Sequence, residues 1–176
     1  MTAARGAFMI RIGLISDTHG LLRREATAFL SGSDLIIHGG DIGNPGILDE
    51  LQAIAPVTAV RGNNDGGAWA EALSDTELMR VGGFRIYAIH DVGRLRIDPS
   101  AAGIRAVVAG HSHKPRVEER GNVLFVNPGS AGPRRFTLPI SVGEILIREG
   151  TLSARTVELQ VPSRTATSLN FTRSSS

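Results

Sequence analysis

Apolar residues fall along this chain in short runs closed by glycine or polar clusters, and the runs alternate with segments whose apolar residues recur at helical spacing. Residues 8–16 predict a buried strand interrupted only by Arg11, and residues 21–30 predict a helix stopped by Ser31-Gly32-Ser33. A second strand is predicted at 35–38. Asn44 then caps a helix that has Pro45 at its first position and runs to residue 55. Residues 57–61 give a third strand, which ends in the loop Gly62-Asn63-Asn64-Asp65. Helical crossovers between short apolar strands predict a largely parallel sheet. The loops that follow its strands then gather at one edge, where open α/β sheets bind ligands.

The second half is richer in strands. Residues 77–81 and 84–90 flank Gly82-Gly83 as a hairpin, Asp98-Pro99 starts a short helix, and 106–109 lead into a loop at Gly110-His111. Strands are predicted again at 116–120 and 123–127. Residues 139–148 and 151–161 read as an antiparallel pair joined at Glu149-Gly150. The pattern alone gives an α/β or α+β class.

The chemistry sits where those runs end. The segments are Asp17-Thr18-His19, Gly40-Asp41, Gly62-Asn63-Asn64-Asp65, His90-Asp91 and Gly110-His111-Ser112-His113, and they hold four of the five histidines. In an extended segment, residues i and i+2 point to one face about 6–7 Å apart, so Asp17 with His19 and His111 with His113 can each send two ligands into one cavity. Oxygen donors mixed with imidazoles suit divalent Mn, Fe, Co, Ni or Zn, whereas Mg or Ca sites are built from oxygens. Two such metals, about 3.5–4 Å apart, need a carboxylate that touches both. Asp41, at a strand end freed by Gly39-Gly40, is the candidate bridge, and Asn63 offers a neutral oxygen that limits the negative charge. Asp and Asn are also ordinary turn and cap residues, so each is weak singly and the set is strong jointly. A lone histidine on a strand is ordinarily a core residue, and His38 reads so, with a supporting role behind a ligand left open.

At these residues the chain resembles the calcineurin-like metallophosphoesterases. Within them it is similar to the small single-domain bacterial and archaeal phosphodiesterases, a branch that includes a retromer subunit. The segments D-x-H, G-D, G-N-x-[ED], a lone His and G-H-x-H occur in the family's order over about residues 9–160, with Asn127-Pro128-Gly129-Ser130 matching its NPGS. The resemblance implies a four-layer αββα fold, a two-sheet sandwich flanked by helices with the metals at one edge. It also implies that Asp17, His19, Asp41 and His113 hold one metal, and that Asp41, Asn63, His90 and His111 hold the other. Two positions depart from the wider pattern. Asn64 stands where many members carry a histidine near the leaving group, and Asp91-Val92 follow His90 where the small branch often has Gly-His; Asp91 reads as a partner of a ligand or an extra anionic contact.

Composition narrows the rest. A chain of 176 residues with 41% hydrophobic content suits one domain, assigned to 8–162 with flexible tails at 1–7 and 163–176. No apolar run approaches the roughly 20 residues of a membrane span, and no secretory signal precedes Asp17, so a cytoplasmic protein is expected. The absence of cysteine excludes disulfides and zinc–thiolate sites. Formal net charge is +2, and of the 19 basic residues Arg5, Arg164 and Arg173 lie in the tails, leaving a core with slightly fewer basic than 17 acidic residues. Such a core argues against duplex DNA as a partner.

Together these imply a metal-dependent phosphodiesterase in which a hydroxide bridging two divalent ions, manganese first among them, attacks a small phosphoester. Asn64, Arg134 and Arg135 are the candidate substrate contacts, Asn64 also the candidate on the leaving-group side, and Arg94 and Arg96 are weaker ones. A non-catalytic metal-binding scaffold or protein-interaction subunit of the same fold is the alternative, and homo-oligomerisation stays open.

Overall fold

The first strand, β1 (Met9–Ile15), alternates as a sheet strand must: Ile10, Ile12 and Leu14 pack in one apolar cluster and Ile15 in another. The computed structural model describes residues 9–162, so the expectations for the tails lie outside the described residues. The chain continues through α1 (Arg24–Leu30), β2 (Leu35–His38), α2 (Gly46–Gln52), β3 (Val57–Ala59), α3 (Ala68–Glu71), β4 (Thr76–Val81) and β5 (Phe84–Ile89). A 3-10 turn at Val92–Arg94 leads to β6 (Ile104–Val108), β7 (Arg116–Arg120), β8 (Val123–Asn127), β9 (Ser141–Arg148) and β10 (Thr151–Glu158).

Two five-stranded sheets result, ordered β10-β9-β1-β2-β3 and β4-β5-β6-β8-β7. The expectation of a largely parallel sheet holds for three strands of each: β1-β2-β3 and β5-β6-β8 are parallel, while β9, β10, β4 and β7 pair antiparallel. Ile12, Leu14, Ile37 and Val60 meet Ile86, Ala88, Ala106 and Val108 between the sheets, and burial of each such Leu or Ile contributes about 1.5–3 kcal/mol. Helices α1 and α2 cover the outer face of the first sheet through Ala26, Leu30, Ile47 and Leu51. On the other outer face the fourth layer is thin, with Ala102 joining Tyr87 and Phe125 against Ile104, Val107 and Val123.

Several boundaries move for local reasons. Helix α1 starts at Arg24 rather than 21, because Arg23 is extended (φ −84°, ψ 142°). Asn44 and Pro45 act as expected: Asn44 Oδ1 accepts from Gly46 N at 2.8 Å and Pro45 has helical φ, but the regular helix stops at Gln52. No helix forms at 98; Asp98 Oδ1 accepts from the amides of Ser100 and Ala101, and Gly103 at φ 69° ends the segment after one turn. The strand predicted at 57–61 ends at Ala59, and α3 is a short helix that the sequence pattern does not predict.

Arg11, the lone charge in the first run, faces the helix layer. It donates to the carbonyls of Phe29 (2.7 Å) and Ser31 (2.9 Å) at the end of α1 and pairs with buried Glu144, which Arg155 also contacts. Unpaired helix-end carbonyls thereby find a donor. Among the described residues, no helix is long and apolar enough to cross a membrane.

Candidate metal centre

Six parallel strands drawn from both sheets end at one rim, and every candidate ligand lies just past such an end: Asp17 and His19 after β1, Asp41 after β2, Asn63 after β3, His90 after β5, and His111 and His113 after β6. The side chains do not converge through an extended i, i+2 geometry. Asp17, His19, Asp41, His111 and His113 instead have φ between 45° and 68°, so each loop turns sharply at its ligand. Non-glycine residues in that region cost about 1–3 kcal/mol and persist where the surroundings over-determine them. Gly62 serves the same crowding, since a Cβ there would stand 2.0 Å from the amide nitrogen of Asp41.

Around His19, four donor atoms face one another. His19 Nε2 lies 3.2 Å from His113 Nε2, 3.9 Å from Asp17 Oδ1 and 3.8 Å from Asp41 Oδ2, and His113 Nε2 lies 3.1 Å from Asp17 Oδ1. Asp17 and His113 are buried. Asp17 Oδ2 accepts from Ser16 Oγ (2.6 Å) and the amide of His111 (3.1 Å), while Oδ1, buried with them, has no hydrogen-bond partner. A buried carboxylate oxygen left open toward two imidazoles fits a cation.

A second group adjoins it. His90 Nδ1 donates to the carbonyl of Gly39 at 2.7 Å, which turns Nε2 toward Asn63 Oδ1 (3.0 Å) and Asp41 Oδ2 (3.4 Å). A backbone carbonyl that fixes the tautomer in this way is the usual support of a metal-binding histidine. His111 Nδ1 lies 3.0 Å from the same Asn63 oxygen. Asp41 Oδ2 therefore stands between the two groups. Burial works against ionisation of Asp41, but its hydrogen bonds to His90 and to the backbone and side-chain amides of Asn64 outweigh this and hold the carboxyl well below the usual range. Burial likewise opposes the charge on His90, yet Asp41 and the Gly39 carbonyl raise its pKa overall. His19 is shifted down, by burial first and by Arg135 and His113 next, against Asp41 and Asp17.

With metal–ligand bonds of about 2.0–2.2 Å, donors on one ion sit roughly 3–3.6 Å apart; the His19–His113, His113–Asp17, His90–Asn63, His90–Asp41 and His111–Asn63 separations fall in that range, and His19 stands slightly wider, at 3.9 Å from Asp17 and 3.8 Å from Asp41. The groups Asp17–His19–His113 and Asp17–Asp41–His90 each bring one ligand atom per residue within 4.8 Å of one another.

The frame behind the ligands is largely hydrogen-bonded. His38, fully buried, accepts from Gly40 N at 3.1 Å on Nδ1 and faces Thr18 Oγ1 at 3.0 Å with Nε2; Thr18 in turn donates to the Ile42 carbonyl. Burial drives its pKa down to about 4, so it is neutral and ties the Asp17–His19 loop to the Gly40–Asp41 loop. Ser16, Thr18 and Ser130 carry no signal of this role in the sequence. Asn127-Pro128-Gly129-Ser130, a family match in the sequence, braces the loops: Asn127 Nδ2 donates to the Gly110 carbonyl (2.6 Å) and Ser130 Oγ to the Asp17 carbonyl (2.9 Å).

The candidate substrate residues are placed unequally. Arg135 Nη2 reaches within 3.4 Å of His19 Nε2, whereas Arg134 turns back to the Leu138 carbonyl (3.2 Å). Arg96 faces the Gly93 and Leu95 carbonyls, and Arg94 lines a cavity of about 950 Å³ beside Asn63, His90 and His111. Asp91 also lines that cavity, and its Oδ1 accepts from Gly93 N (2.9 Å), capping the 3-10 turn rather than holding a ligand. Asn64 lies at the centre with both of its donors on Asp41.

Comparison with known proteins assigns the family and the fold. The model of the calcineurin-like phosphoesterase superfamily domain matches residues 10–149. A probable metallophosphoesterase of Methanothermobacter thermautotrophicus is 33% identical over 174 residues, covering 92% of this chain and 99% of that protein. In structure, an archaeal phosphodiesterase superposes with a TM-score of 0.72 at 24% identity, covering 85% of this chain and 100% of the other. A zinc-complexed Vps29 of Entamoeba histolytica superposes with a TM-score of 0.64 at 22% identity, covering 85% and 99%. With a family match over most of its length and a full-length relative at one-third identity, the chain belongs to the divalent-metal-dependent calcineurin-like phosphoesterase superfamily.

Proposed function

We propose that this protein hydrolyses small phosphodiesters at a centre of two divalent ions. Asp17, His19, Asp41 and His113 would hold one ion and Asp41, Asn63, His90 and His111 the other. The observation that carries the reading is Asp41 Oδ2, set 3.8 Å from His19 Nε2 and 3.4 Å from His90 Nε2 on a carboxyl kept ionised by its neighbours. Bound metals supply positive charge to the phosphoryl oxygens and acidify water at neutral pH. The chain's own part is to position and neutralise. Arg135, beside His19, places a guanidinium where an anionic phosphoryl oxygen is bound. Asn64, whose donors are engaged by Asp41, puts no imidazole on the leaving-group side, which favours esters whose leaving groups need no protonation.

Manganese is the first ion to test, with Ni, Co, Fe and Zn beside it, and the cytoplasm is the expected compartment. The competing reading is a non-catalytic binding subunit, supported by the likeness to Vps29. One experiment separates them: purify without chelator, measure metals, and screen aryl diesters, aryl monoesters and cyclic nucleotides with added Mn or Ni. Metal-dependent turnover of diesters above monoesters is expected; two bound metals with no turnover of any ester would favour the binding subunit.

A further inference from the structure

Residues 131–139 reach the His19 side of the centre through Arg135, and the root of this segment is fastened to the ligand loop. Ala131 N donates to the Ser16 carbonyl (3.0 Å) and Arg23 Nε to that of Gly132 (3.2 Å). A Cβ at Gly132 would stand 2.3 Å from the Thr18 carbonyl oxygen, so glycine alone permits this approach. Beyond the root the chain turns. Leu138 N donates to the Arg135 carbonyl at 3.1 Å, and Arg134 Nη1 to the Leu138 carbonyl at 3.2 Å, so Arg135 is presented to His19 from a closed turn.

Phe136 occupies the first corner of that turn with φ 52° and is 93% exposed. Folding supplies no reason for a phenyl ring here. It gains no burial, and glycine is favoured at a corner with positive φ. Seven non-glycine residues have positive φ among the described residues: five are the candidate ligands above, Glu149 shares a hairpin corner with Gly150, and Phe136 is the seventh. It also stands far above the other exposed large apolar side chains, of which Leu78 at 49% comes next. The cavity on the His90 side offers the opposite surface, lined by Arg61, Asp65, Glu71, Asp75, Asp91 and Arg94 and by no Phe, Tyr or Trp.

We propose that Phe136 is a substrate-binding residue whose exposed ring stacks on a flat aryl or heteroaryl ester group of a phosphodiester, with the phosphoryl group held against Arg135. The inference rests on the hydrolytic reading for the place of the phosphoryl group. Phe136 directly follows Arg135, with Cα atoms about 3.8 Å apart, so the exposed ring and the guanidinium that reaches His19 leave the same closed turn. Stacked aromatic pairs contribute roughly two- to tenfold in affinity beyond their burial. The substrate class is then an aryl or nucleoside-type diester rather than a dialkyl one.

The test uses Phe136→Gly, which removes the ring yet suits the positive φ, with Phe136→Trp as the restoring variant. Calorimetry on the full chain loaded with manganese compares diphenyl phosphate with dimethyl phosphate. Wild type should favour diphenyl phosphate; Phe136→Gly should weaken it about three- to tenfold and leave dimethyl phosphate within twofold, and Phe136→Trp should restore it. The melting temperature of Phe136→Gly should not fall, which separates a binding role from a structural one. The KM of bis(p-nitrophenyl) phosphate should rise in the same proportion with kcat within twofold. Unchanged diphenyl phosphate binding in Phe136→Gly, or an equal loss for both esters, overturns the proposal. Ring-dependent binding without turnover of any ester would count against hydrolysis while sustaining the aryl site.

Discussion

Replacing His38 distinguishes a frame residue from a ligand. Its Nδ1 accepts from Gly40 N (3.1 Å), which leaves the proton on Nε2 to bridge to Thr18 Oγ1 (3.0 Å) in a fully buried pocket. In His38→Leu the Gly40 amide is buried without a partner, at a cost of about 1–3 kcal/mol, and Thr18 loses one accepted bond worth about 0.5–1.5 kcal/mol. A total near 2–4 kcal/mol is therefore expected from urea unfolding in chelator, with roughly half of that for His38→Gln, which retains a donor and an acceptor. Manganese titration of His38→Gln should still fill the wild-type number of sites. The pH dependence gives a second reading. Burial lowers the folded pKa from 6.5 to about 4, so between those values the unfolded chain binds the extra proton and His38 makes stability rise with pH. His38→Leu should lose that slope. Complete metal loss with unchanged chelated stability would make His38 a ligand and refute the reasoning.

Asp41→Ala should abolish turnover and strip both ions, because one oxygen faces both groups; near-normal metal content by elemental analysis would remove the bridging assignment. His111→Ala and His113→Ala should each weaken a different ion, since His113 faces Asp17 and His19 whereas His111 faces Asn63, and loss of the same site in both titrations would break the division. Glu144 is held below its ordinary pKa, against its burial, by Arg11 and Arg155, so its contribution to stability is present above about pH 4.5 and is lost as pH falls through the lower folded value. Glu144→Gln should flatten that part of the acid limb and cost no more than about 3 kcal/mol at pH 7, because Arg11 keeps its two carbonyl partners; an unaltered acid limb in pH-dependent unfolding would show that the pair contributes nothing.

Local sequence determined a good deal. The apolar run at 8–16, the Asn44-Pro45 start and the Gly82-Gly83 and Glu149-Gly150 corners identify their elements because runs of one hydropathy and turn chemistry are properties of a few adjacent residues. The chemical types at the strand ends also singled out the seven residues that the fold brings to one rim. What sequence could not decide involves partners far along the chain. The split into two sheets depends on β9 pairing with β1 across more than a hundred residues, and strand pairing at that distance leaves no local pattern. The convergence itself comes from positive φ at five ligands, held by neighbours such as Gly62 against Asp41 rather than by any preference of Asp or His for that conformation. Likewise, Arg134 and Arg135 are equivalent in sequence, and only the closed turn sends one to His19 and the other back to Leu138. Phe136, in an otherwise unremarked stretch, gains its meaning the same way: hydropathy would bury it, and the tertiary structure leaves it in solvent on the turn that presents Arg135.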